Sequence, residues 1–116
     1  MQLESRKLLE DIVQAAALLE RFARGKKLED YKSDPMFRSA VERQFEIVGE
    51  ALKQLADRDA TTAANIPELK RIIGFRNILI HGYAQVNDTL VWSALTTHIH
   101  PLRSVVQSLL DIPREK

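Results

Sequence analysis

Apolar residues recur three or four apart along most of this chain, which is the period of a helix with one buried face. From Leu3 to Ala23 the stripe is Leu8, Leu9, Ile12, Val13, Ala16, Leu19 and Phe22, with Glu4, Arg6, Lys7, Glu10, Asp11, Gln14, Glu20 and Arg21 filling the gaps. Gly25 is placed to end that helix, and the basic residues Arg21, Arg24, Lys26 and Lys27 suit the negative end of its dipole. Leu28 to Tyr31 reads as a short connector or a single helical turn. Asp34 followed by Pro35 reads as a cap and first residue of a second long helix. Its stripe is Val41, Phe45, Val48, Leu52 and Leu55, and the pattern runs to about Ala56. Asp57 to Asn65 carries no stripe and reads as a loop. Pro67 opens a third helix with Leu69, Ile72, Ile73, Leu79 and Ile80, ending near Gly82. Asp88 and Thr89 are placed to cap a fourth helix through Leu90, Val91, Trp92, Leu95 and Ile99. Pro101 either kinks that helix or starts a fifth with Leu102, Val105, Val106, Leu109 and Leu110.

No window alternates with period two for the length of a convincing strand, so the expected fold is an all-α, up-and-down bundle of four to five helices. The four glycines and four prolines are read as marking helix breaks. With 116 residues and neither repeat nor low-complexity tract, residues 1–116 read as a single domain. The absence of cysteine excludes disulfides, thiol catalysis and cysteine-based zinc sites. No apolar run approaches the ~20 residues that a membrane span needs, and the charged N-terminus lacks the apolar core of a signal peptide. The expectation is a cytoplasmic protein without membrane contact. A net charge of +1 gives no general attraction to nucleic acid, so any such contact must be local.

The chemistry concentrates in Gly74-Phe75-Arg76-Asn77-Ile78-Leu79-Ile80-His81-Gly82-Tyr83. Arginine presents a charged fork of donors that fits a phosphate, and histidine is the side chain suited to move protons near neutral pH. Asn77 and His81 are four apart and share a helix face. Arg76 and His81 are five apart, about 140° round a helix, so one helix does not aim both at one point. A symmetric pair of subunits repairs this by bringing two copies of the helix together. A plain reading competes, in which arginine and histidine form a paired polar cluster within an apolar helix. Burying such groups unpaired is costly, which favours a purpose for them.

The order arginine, asparagine, three apolar residues, histidine, any residue, tyrosine resembles the signature of the HepT-like family, the toxin halves of HEPN/MNT toxin–antitoxin pairs. Phe45-Glu46-Ile47-Val48-Gly49-Glu50-Ala51 resembles that family's second-helix segment. Ile66-Pro67, the motif itself and Val91-Trp92 follow in the family's order. Glu68, Gln44 and Ala84 depart from the residue types common there. The resemblance implies an α-helical homodimer and a metal-independent, cofactor-free endoribonuclease with its cleft at the dimer interface. His81 would be the general acid/base for attack of a ribose 2′-hydroxyl on the adjacent phosphate. Arg76 would stabilise charge on that phosphate, and Asn77 would orient histidine or substrate. Tyr83 would accept AMP from a nucleotidyltransferase antitoxin of the MNT type, silencing the cleft. The competing class is a non-catalytic HEPN-like module that docks the nucleotidyltransferase and binds nucleotide without cutting RNA.

Glu46 and Glu50 are a like-charged pair four apart, either a solvated face or partners for a basic group such as Arg76. Lys70 and Arg71 precede the motif and are candidates for contact with an RNA backbone. His98 and His100 straddle Ile99 and invite a metal hypothesis, but no third ligand is evident, and helix-end or surface roles fit them better. Trp92, Phe22, Phe37, Phe45 and Phe75 read as core or interface residues.

Overall fold

The computed structural model describes residues 1–81 and 87–113, which form seven helices and no strand. These are α1 (Leu3–Ala23), α2 (Leu28–Ser33), α3 (Pro35–Arg58), α4 (Ala60–Ala63), α5 (Leu69–His81), α6 (Asp88–Thr97) and α7 (Ile99–Leu110). Five run to ten residues or more and two are short, so the expected four to five helices become seven. Among the described residues no helix is long and apolar enough to cross a membrane.

The long α1 fills the span read from its stripe, and Gly25, at a φ of 69°, turns the chain out of it. Asp34 caps α3 as expected: its Oδ1 accepts from the backbone N–H groups of Met36 and Phe37 at 3.0 and 3.3 Å, with Pro35 at the first helical position. Three expectations need correction. Asp57 to Asn65 is not a plain loop, because Asp59 caps the short α4 through the Thr62 N–H. Pro67 lies in the turn before α5 rather than in the helix. Asn87, not Asp88, caps α6, accepting from the N–H groups of Thr89 and Leu90. Of the two readings of Pro101 the second holds, since it sits in the first turn of α7 after a break at His98.

The core runs through Leu9, Ile12, Ala16 and Leu19 of α1, Val41, Phe45, Val48, Leu52 and Leu55 of α3, and Leu102 and Val106 of α7. Helix α1 packs against both α3 and α7. Tyr31 of α2 is fully buried among Phe37 and Trp92, with ring centroids 5.9 and 6.4 Å away. Burial, then the carboxylates of Glu42 and Asp88, push its hydroxyl far up in pKa. Helix α5 rests chiefly on α3, where Phe75 meets Phe45 edge to face at 4.9 Å. That contact fixes how the motif helix sits on the bundle.

Candidate functional site

Because α5 leans on α3, its buried stripe is Ile72 and Phe75, and Phe45 and Gly49 of α3 face it. Arg76 lies at the edge of this contact, and its side chain is only 19% exposed. It donates through Nη2 to Glu50 Oε2 at 2.6 Å and through Nη1 to Asn77 Oδ1 at 2.9 Å. Its Nε is buried and meets no hydrogen-bond partner among the described residues. The guanidinium is thus held at two corners, and among the described residues an N–H on each Nη is left for an anion.

Of the pair Glu46 and Glu50 on α3, one reaches the arginine. Glu50 does; Glu46 instead faces Arg43 at 3.6 Å, one turn back on its own helix. Asn77 holds Arg76, and no hydrogen bond joins it to His81 among the described residues. His81 ends α5 with an exposed side chain. Exposed Ile78 and Ile80, 42% and 38% accessible, flank the strip that carries Asn77 and His81. Tyr83 lies outside the described residues.

Lys70 and Arg71 line a cleft of about 400 Å³ between α5 and α6, floored by Ile72, Phe75 and Ala94. Arg71 Nη1 lies 3.2 Å from Nε2 of His98, whose Nδ1 approaches Glu68 Oε2 at 3.0 Å without the alignment of a hydrogen bond. His100 goes elsewhere, to Glu20 at 2.7 Å, and the same carboxylate accepts from Nε of Arg103. The neighbouring histidines therefore belong to two separate ion networks, one joining the start of α5 to the α6–α7 break and the other joining α1 to α7. Neither network was legible in the linear sequence, because each depends on a carboxylate at least thirty residues away or on another helix.

Sequence reading passed over Gly49. A Cβ placed there would stand 2.6 Å from Cγ of Arg76 and closer still to its Cβ. The available signal was a glycine in the middle of a long amphipathic pattern, where it serves no turn and weakens the helix by about 1 kcal/mol relative to alanine. Gly49 and Gly74 both stand inside helices, against the expectation that glycines mark breaks, and only Gly49 meets a neighbour.

Comparison with known proteins adds an independent line. Residues 12–109 match the family model described as "Ribonuclease HepT-like". A protein of Caldanaerobacter subterraneus subsp. tengcongensis named "Putative RNase TTE0752" is 34% identical over 106 residues, covering 91% of this chain and 94% of its own. A Thermococcus cleftensis protein named "Probable ribonuclease HepT" is 33% identical over 101 residues, covering 87% and 91%. A Methanocaldococcus jannaschii protein named "Putative RNase MJ1380" is 29% identical over 99 residues, covering 85% and 90%. No solved structure matches the chain.

Proposed function

This chain belongs to the HepT-like ribonuclease family, and from that premise we propose that it is the toxin of a toxin–antitoxin pair, a metal-independent endoribonuclease whose site is shared between two subunits. The observation that carries the reading is the arrangement on α5. Arg76 is drawn inward and clamped by Glu50 and Asn77, while His81 stands exposed at the end of the same helix. A structural ion pair explains the first but gives His81 no task.

In this reading His81 takes the proton of a ribose 2′-hydroxyl as its oxygen attacks the adjacent phosphorus. The bond from phosphorus to the 5′-oxygen breaks, and that oxygen leaves as a hydroxyl by taking a proton from the imidazolium that His81 has become. The products are a 2′,3′-cyclic phosphate and a 5′-hydroxyl end. Arg76 offers its remaining N–H groups to the phosphoryl oxygens, whose charge grows in the transition state. Asn77 acts through Arg76, by fixing the guanidinium, rather than by orienting His81. Glu50 fixes the opposite corner. Lys70 and Arg71 contribute phosphate contacts along the strand. Among the described residues Glu46 pairs with Arg43 and is not joined to Arg76.

The same helix supports reading the protein as a homodimer. Arg76 and His81 diverge by about 140° on one α5, and the exposed Ile78 and Ile80 beside them suit burial against a second copy. Tyr83 is the acceptor of AMP from a nucleotidyltransferase antitoxin. An added anionic nucleotide two residues beyond His81 would repel and obstruct an RNA strand.

Mixing inactive variants tests the shared site. Arg76→Ala and His81→Ala proteins, unfolded together and refolded, should recover about a quarter of wild-type cleavage, because half of the random pairs carry one intact site of two. No recovery from folded, paired protein contradicts a site built across subunits. If wild type itself binds the nucleotidyltransferase but never cuts RNA, the non-catalytic module replaces the enzyme.

A further inference from the structure

Gly49 stands where α3 and α5 cross, directly under Arg76. We infer that Gly49 is a positioning residue for Arg76: by lacking a side chain it admits the arginine's stem between the two helices and delivers the guanidinium to Glu50 and Asn77. The inference rests on the ribonuclease reading for its effect on catalysis, and on packing alone for its effect on Arg76.

The geometry leaves little freedom. A Cβ at position 49 would approach Arg76 Cγ to 2.6 Å, about 1 Å inside the ordinary 3.5–4.0 Å contact of two carbons. The nearest atom of all is the arginine's own Cβ, which is fixed to the backbone, so no rotamer change removes the overlap. Relief requires α5 to lift or turn on α3. Since α3 is the main support of α5, such a movement carries Arg76, Asn77 and His81 with it. Gly49 also precedes Glu50 in the chain, so one stretch of α3 supplies both the space for the arginine and the carboxylate that holds it. The neighbouring Phe45–Phe75 contact anchors the helices one turn away, so the displacement falls on the Arg76 side of the crossing.

Alanine at 49 gives opposite signs under the two possible roles. As a mere helix residue it would strengthen α3, because alanine is the better helix former. As a wedge under Arg76 it should lower the melting temperature and reduce turnover about a hundredfold, the loss expected from about 1 Å of misplacement. KM for a defined RNA should stay within about threefold, because Lys70 and Arg71 lie on the far side of the Phe45–Phe75 anchor from Arg76 and move less than it does. The experiment pairs these kinetics with the Nε–H resonance of Arg76 in labelled protein, which reports the buried donor directly. In Gly49→Ala this resonance should shift and exchange faster with water. In an Arg76→Gly background, the same alanine should raise the melting temperature while activity stays absent.

Wild-type turnover with an unmoved resonance in Gly49→Ala would overturn the inference, as would a higher melting temperature in the wild-type background. If Gly49→Ala does not fold, the double variant decides: a folded Gly49→Ala/Arg76→Gly protein supports the wedge, and an unfolded one refutes it. If wild type cleaves no RNA, the ribonuclease reading fails, and the resonance and melting temperatures still decide what Gly49 does.

Discussion

Removing the carboxylate of Glu50 separates holding Arg76 from competing with its substrate. The Arg76 side chain is 19% exposed and that of Glu50 44%, with 2.6 Å between Nη2 and Oε2. A hydrogen bond between charged groups contributes about 1.5–3 kcal/mol when sheltered. The exposure of Glu50 screens this pair, which brings it down to about 1 kcal/mol. Glu50→Ala should cost that amount, and a domain of this size then melts about 4 °C lower. Glu50→Gln keeps an oxygen acceptor and should lose about half as much. Added salt should narrow the gap between wild type and either variant. In a cleavage assay, a guanidinium freed from its inner corner is less well aimed, and turnover should fall about tenfold. Thermal unfolding at two salt concentrations and steady-state cleavage of one RNA suffice. Unchanged melting at both salts would refute the holding role. A rise in turnover would refute it differently, by showing that Glu50 occupies the arginine in place of phosphate.

The Asp59 carboxylate accepts from the Ser5 and Thr62 hydroxyls, each at 2.7 Å, and from the Thr62 N–H at 3.1 Å; the Ser5 bond leads in holding its pKa below the usual value. Its stabilising share is therefore complete above an unfolded pKa of about 3.9 and fades as pH falls through the lower folded value. Melting temperatures from pH 5 down to about 2 should fall more steeply for wild type than for Asp59→Asn, and parallel curves would contradict this. Gly74 sits in α5 with open space where a Cβ would project, so Gly74→Ala should raise stability by about 1 kcal/mol, read by denaturant unfolding. Destabilisation instead would mean that the α5 surface is not open at that point.

Where a single element carries its own instructions, the sequence could be read directly. The stripe and following glycine set the span of α1, and the Asp34-Pro35 pair set the start of α3. The Arg76-to-His81 spacing, with its helical divergence, was equally visible, as was Glu50 as one possible partner for the arginine. What escaped needed the third dimension. Asp59 looked like loop because its cap serves only four residues, and its Ser5 partner lies 54 positions away. Asn87 hid beside Asp88 because both types cap well, and only the backbone decides between them. Gly49 looked like one small residue in a family-like segment until the crossing of α3 and α5 put Arg76 against it. Asn77 shares a helix face with His81, yet the neighbouring arginine claims its oxygen.

His81 is proposed to perform RNA cleavage without a metal. Partner-free protein, shown by intact mass to be unmodified at Tyr83, is incubated with total cellular RNA in EDTA beside a folded His81→Ala control. Wild type alone should cleave, leaving 2′,3′-cyclic phosphate and 5′-hydroxyl ends. Intact RNA after exposure to folded, unmodified wild type, or equal cleavage by the histidine variant, would contradict it.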